Sequence, residues 1–322
     1  MDDSILFIQT LQVNAPNLGL FMQAIAFLGQ PEFYLLFIPL IYWCFDKTLG
    51  IRLALILSLS TGLCDALKIS IHSPRPYWVS SDVKALTNYP SFGMPSGHAQ
   101  NALVFFGYLA AWIKKMWAWI ICTIIILLIG LARVYQAVHF PLDIITGWAV
   151  GLVILVLVLR FENPAAEWMC KKTLGVQIGV IFLCSVVLIC ISLLALVSLG
   201  SWQVPTVWSE LALSQSGFPI DPLVPRDTLI TAGLLFGAAT GAVLANRYVK
   251  FTVSGTNAQK VLRYCIGIVI LFVIWLGLSP LVQPQTYSGY LMTYLRPAVA
   301  GLWICAGAPR LFQKIGLYKT QL

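Results

Sequence analysis

From residue 174 to residue 199 the chain reads LGVQIGVIFLCSVVLICISLLALVSL, without one charged side chain. A helix of that length exceeds the roughly 30 Å hydrocarbon core of a bilayer, at about 1.5 Å per residue. Similar apolar runs recur along the chain. Segments near 31–46, 50–67, 98–113, 117–136, 142–159, 174–199, 228–247, 262–281 and 289–308 predict nine spans. The expected fold is therefore all-α, a polytopic membrane helical bundle, because helices satisfy their own backbone groups in lipid. Composition agrees: 59% of residues are hydrophobic, 10% are charged, and the mean hydropathy is +0.85. Residues 1–29 are more mixed, with Gln9, Gln12, Asn14, Asn17 and Gln23 interrupting the apolar residues. They predict a helix lying in the interface. The start is acidic and lacks the basic region of a secretory signal.

The net charge of +8 would point to nucleic acid in a soluble protein. Here its distribution reads as topology. With the N-terminus outside and the C-terminus inside, fourteen of the twenty Lys and Arg residues fall on the inner side, Lys319 of the tail among them. The outer six are Lys68, Arg75, Lys84, Arg133, Arg226 and Arg296. Lys68, Arg75 and Arg133 stand where spans end, and they need another explanation.

The eight cysteines lie mostly inside apolar runs and form no CxxC pair, so they read as small packing residues with no disulfide or zinc framework. Gly233, Gly237 and Gly241 make a stripe suited to close helix contact. The longest outer loop, 200–227, is rich in Pro and Trp and is expected to fold against the membrane surface. The expected organisation is an interfacial segment 1–29, a catalytic bundle 30–160, and accessory spans over 161–322.

The three histidines, His72, His98 and His139, fall on the same outer face as Lys68, Arg75 and Arg133. Ionisable groups at membrane depth usually mark a functional site. They sit in three stretches: KISIHSPRP, PSGH and ARVYQAVHFPLD. Two guanidinium forks and an ammonium suit a phosphate dianion. Ser96 is a good N-cap, and the N–H groups of Gly97 and His98 would open the third span as an anion cradle. Gly97 also allows close backbone approach to a ligand. Asp143 lies four residues after His139, where a carboxylate fixes the tautomer and supports the imidazolium. One histidine can then attack phosphorus while the other acts as general acid. The cluster has no carboxylate cage, so no metal ion or cofactor is expected.

Lys-x6-Arg-Pro, Pro-Ser-Gly-His and Arg-x5-His-x3-Asp together resemble the three-part signature of the type 2 phosphatidic acid phosphatase superfamily. The match covers residues 68–143. The resemblance implies His139 as nucleophile through a phosphohistidine, Asp143 as its orienting group and His98 as proton donor to the leaving oxygen. Lys68, Arg75, Ser96, Gly97 and Arg133 would hold the phosphate. The family often has Ser before the third-motif arginine; here it is Ala132, so one hydroxyl contact is in doubt. The nine spans, RPYW at Arg75–Trp78 and AVHFP ending at Pro141 are also similar to glucose-6-phosphatases, which usually lack the aspartate found at 143.

The expected activity is phosphate monoester or pyrophosphate hydrolysis at the outer face of a membrane, a bacterial inner membrane facing the periplasm. The expected partners are a phosphorylated lipid and the bilayer, with no nucleic acid. Phe105, Phe106 and Trp112 would line a lateral opening for lipid. A sugar-phosphate phosphatase, with Glu210, Asp221 and Arg226 in a polar roof, is the alternative within the class. A non-catalytic lipid-phosphate carrier is the alternative outside it, and a vanadate peroxidase a further one. Four residues carry bland readings: His72 as pocket rim, Asp65 as partner of Lys68, and Tyr77 and Trp78 as substrate grip or interfacial belt.

Overall fold

The computed structural model of the protein describes residues 2–283 and 286–318; Lys319 lies outside them. Among these residues the chain is helical, without strands. The helices are α1 (Asp2–Asn14), α2 (Gly19–Phe27), α3 (Pro31–Cys44), α4 (Lys47–Ile71), α5 (Pro76–Val79), α6 (Gly97–Ile113) and α7 (Met116–Tyr135). They continue with α8 (Pro141–Cys170), α9 (Leu174–Ser198), α10 (Thr206–Ser216), α11 (Arg226–Tyr248), α12 (Asn257–Gly277), α13 (Tyr287–Leu302) and α14 (Ala308–Lys314). Seven helical stretches are long and apolar enough to cross a membrane. An eighth arises if Pro16–Phe27 and Pro31–Cys44, bent by 46°, count as one span. The difference from nine lies in α3 and α6, the shortest of the expected spans. At 14 and 17 residues they extend roughly 21 and 26 Å.

The chain forms two compact units, each made of three separate segments. Unit 1 comprises residues 1–33, 63–159 and 191–225. Its helix α6 ends at Lys114 in the left-handed conformation, and α7 starts two residues later, giving a tight hairpin. Helix α1 is bound to protein as well as apolar outward. Ile5 and Ile8 pack with Val134, Ala137, Phe140 and Ile144. The Gln12 amide reads as an interruption in the sequence, but it ties two strands of chain together. Its Nε2 donates to the carbonyls of Lys84 and Tyr135, both at 2.8 Å, and its Oε1 accepts from Lys84 N. Phe105 and Phe106 are buried against Phe33, with ring centroids 6.2 and 6.3 Å away, rather than lining an opening.

Unit 2 comprises residues 34–62, 160–190 and 226–322. Asp46 Oδ1 caps α4 by accepting from the N–H groups of Thr48 and Leu49. A capping box of Thr256 and Gln259 starts α12. The glycine stripe of α11 meets α13 backbone to backbone: a Cβ at Gly237 would collide with the Ala298 carbonyl. A π-helical segment, Trp303–Gly307, follows α13. Carbonyls at the start of that segment accept from side chains, Ile304 O from Trp43 Nε1 at 2.8 Å and Cys305 O from Tyr42 Oη at 2.9 Å. Arg263, at the start of the expected span 262–281, is wholly buried. Its guanidinium donates to the carbonyls of Leu317, Val253 and Ser254 and lies 4.2 Å from the Tyr318 ring. None of the eight cysteines forms a disulfide; four are buried and four exposed.

Candidate active site

The eight residues singled out from the three motifs all belong to unit 1. Lys68 ends α4 and turns its ammonium to the carbonyls of Phe92 and Gly93. Arg75 precedes α5 in extended backbone, set by the Pro76 that follows. Its guanidinium joins two stretches of chain. Nε donates to Ser91 O at 2.7 Å, Nη2 to Phe92 O at 3.0 Å, and Nη1 to Val138 O at 2.8 Å. Nη1 also lies 3.3 Å from His139 Nε2. Lys68 and Arg75 thus share the Phe92 carbonyl.

Ser96 is the N-cap of α6, with its Oγ accepting from Ala99 N at 3.4 Å. Gly97 and His98 are then the first helical residues. Their N–H groups have no acceptor among the described residues. A first turn of this kind presents donors to an anion. Arg133 lies in the last turn of α7, fully buried. Gln136 Oε1 accepts from its Nη1 at 2.6 Å. Its Nε and Nη2 are without a partner among the described residues.

Ala137, at φ 57°, reverses the chain between α7 and α8, and His139 stands in that turn. Asp143, in the first turn of α8, reaches back: Oδ2 accepts from Phe140 N at 2.9 Å and lies 3.3 Å from His139 Nδ1. His139 is 1% exposed. Burial first, and then the charges of Arg75, Lys68, Arg133 and His98, hold its pKa well below the ordinary imidazole range. The neutral ring donates Nδ1–H to Asp143 and accepts at Nε2 from Arg75.

One further expectation is corrected. Tyr77 and Trp78 are neither belt nor grip but fully buried, in one cluster with Phe92, Val138 and Ala212. Ala132 packs against Met22 and Ala26 of α2. His72, at φ 43°, rests its ring 4.8 Å from Trp202. The 200–227 segment meets the catalytic loop through backbone: Asp221 N donates to Pro90 O at 3.2 Å.

Sequence reasoning missed Tyr89. Its ring lies 5.0 Å from the Arg75 guanidinium carbon and 4.7 Å from that of Arg133. Its hydroxyl is 3.5 Å from His98 Nε2. It stands in a loop without periodicity, so no pattern marks it. Ser91, in the same loop, was missed for the same reason; Gln136, which caps α7 inside the third stretch, was missed because its side chain matches no motif position.

Residues 49–167 match the PAP2 superfamily, and residues 229–320 match the PAP2 superfamily phosphatase, transmembrane extension. The chain is 32% identical over 165 residues to phosphatidylglycerophosphatase B of Bacillus subtilis, covering 47% of this chain and 78% of that protein. It is 30% identical to the undecaprenyl-diphosphatase of Sulfolobus acidocaldarius, over 36% of this chain and 57% of that protein. It is 25% identical to lipid phosphate phosphatase delta of Arabidopsis thaliana, over 48% of this chain and 41% of that longer protein. The chain therefore belongs to the PAP2 superfamily, which includes phosphatases that hydrolyse phosphate esters.

Proposed function

We propose that the chain is an integral membrane phosphohydrolase that cleaves a phosphate monoester or pyrophosphate on a lipid, through a phosphohistidine at His139. The observation that carries this reading is the double engagement of His139, by Asp143 at Nδ1 and Arg75 at Nε2. A bound phosphate oxygen would draw the Arg75 donor to itself and release the Nε2 lone pair. That lone pair attacks phosphorus as the bond to the leaving oxygen breaks. The electron pair goes to that oxygen, and His98 protonates it. The Asp143 carboxylate balances the positive charge that develops on the His139 ring. Lys68, Arg75, Arg133 and the cap of α6 at Ser96 and Gly97 hold the other phosphate oxygens. Water then attacks the phosphohistidine, giving its proton to His98 and releasing phosphate.

In this reading the chain crosses the bilayer nine times, α3 and α6 being short spans, with the N-terminus outside. Residues 1–29 lie in the interface, 30–160 form the catalytic bundle and 161–322 accompany it. The site faces the periplasm of a bacterial inner membrane, a placement supported by the excess of Lys and Arg on the opposite side. The lipid assignment is supported by the relatives, whose names specify phosphatidylglycerophosphate, undecaprenyl diphosphate and lipid phosphate.

The test is phosphate release from detergent-purified protein, across phosphatidate, phosphatidylglycerol phosphate, a polyprenyl pyrophosphate and glucose 6-phosphate. A long-chain lipid should give the highest kcat/KM. If glucose 6-phosphate does, the lipid assignment fails and only the reaction type stands.

A further inference from the structure

We propose that Tyr89 is a catalytic residue, one whose phenol hydroxyl hydrogen-bonds the leaving oxygen alongside His98. The inference rests on the phosphatase reading above and adds a group to its site. Three contacts carry it. The Tyr89 ring lies against both guanidinium groups, within cation–π range of each. Its ring meets that of His98 edge to face, with centroids 5.5 Å apart. Its hydroxyl stands 3.5 Å from His98 Nε2, the nitrogen that would deliver the proton.

That distance is long for a direct O–H···N bond. It is well suited to two donors that share a third atom. An oxygen roughly 2.8 Å from each would complete a triangle between them. In the proposed reaction the atom on the far side of phosphorus from His139, beside His98, is the leaving oxygen. When the P–O bond breaks, the electron pair moves to that oxygen. The His98 proton transfers to it, while the Tyr89 O–H donates a hydrogen bond and keeps its proton.

The loop holds Tyr89 in position for this role. Tyr77 Oη accepts from Tyr89 N and donates to Tyr89 O, both at 3.1 Å. Tyr77 is fully buried, two residues after Arg75. Helix α5, which follows the first motif, therefore fixes the backbone of Tyr89 through Tyr77, and Asp221 N fixes its neighbour Pro90. Tyr89 itself is half-buried.

The experiment compares wild type, Y89F, Y89L and H98A in the full-length protein on phosphate esters of graded leaving-group acidity, from alkyl to nitrophenyl. Y89F keeps the ring and its contacts with the arginines. It should leave KM near wild type and lower kcat on alkyl esters on the order of tenfold to a hundredfold, the scale of a hydrogen bond to a charged oxygen. The loss should shrink toward none on nitrophenyl phosphate, paralleling H98A. Y89L removes the ring as well and should raise KM on every ester. If Y89F follows wild type at every leaving group, or loses the same factor on all of them, the inference is overturned while the phosphatase reading stands. A wild-type protein inert on the whole series would overturn both.

Discussion

The backbone N–H of Ser96 donates to the carbonyl oxygen of Asp143 at 2.9 Å, joining the cap of α6 to the first turn of α8. That closeness depends on Gly147, one turn further along α8. A Cβ there would stand 2.6 Å from Ser96 O and 3.3 Å from the Ala99 side chain. Gly147→Val should push the two helices apart and shift Asp143 relative to His139. A displacement of about 1 Å is worth roughly a hundredfold in rate. We expect that loss in kcat/KM, with helix content by circular dichroism retained. An unchanged kcat/KM would mean that this contact does not set the site.

His139→Ala should remove the phosphoenzyme and nearly all turnover. The intermediate is trapped by acid-sensitive, alkali-stable labelling from a radioactive substrate. His98→Ala should still form it from esters with good leaving groups. Turnover should also survive EDTA, since the proposed phosphate ligands are cations and N–H groups. Strict loss with chelator would reveal a metal.

The pH profile follows from the lowered pKa of His139. The nucleophile must be neutral, so protonation of His139 should set no acid limb in kcat/KM as pH falls through the ordinary imidazole range near 6.5. Removing a cation lets the imidazolium form more readily. Lys68→Met should therefore move the acid limb of the profile to higher pH. A limb that stays in position, or moves lower, contradicts the electrostatic account.

Arg133 buries Nε and Nη2 without partners, a cost that a bound anion would relieve. Orthovanadate at about 100 times its Kd should stabilise the protein by ~2.7 kcal/mol, read as a rise in Tm. Arg133→Met should abolish that rise and, by removing the unsatisfied donors, leave the Tm without anion at or above wild type. A vanadate shift of wild-type size in the variant would show that Arg133 takes no part in anion binding.

Away from the site, Gly237→Val should destabilise α11 against α13 by about 2 kcal/mol, the scale of overpacking. Thermal unfolding in detergent reports it. Gly179→Val, where a Cβ meets nothing within 4 Å, is the control.

What the sequence disclosed depended on periodicity and spacing. Long apolar runs such as 174–199 announced their helices, because a bilayer admits little else. The convergence of Arg75, His139 and Asp143 was legible because residue types and intervals matched one chemistry. Short helices were harder: α3 and α6 fall below the length at which hydropathy alone identifies a span. Phe105 and Phe106 looked lipid-facing because an apolar residue reads alike whether it meets a tail or Phe33. Gln12 and Tyr89 act through contacts with distant stretches of chain. Nothing local distinguishes them from ordinary interfacial residues.

The interleaving of the two units constrains how the protein is made. The three motifs have been synthesised by residue 143, yet unit 1 also draws on residues 191–225. The nascent chain therefore carries its full set of reactive side chains for some 80 residues before their surroundings exist, a delay of roughly 4–16 s at typical rates of synthesis. Residues 34–62, made early, wait longer still for the last third of the chain. A ribosome stalled near residue 160 would hold a product with every catalytic group and neither unit complete.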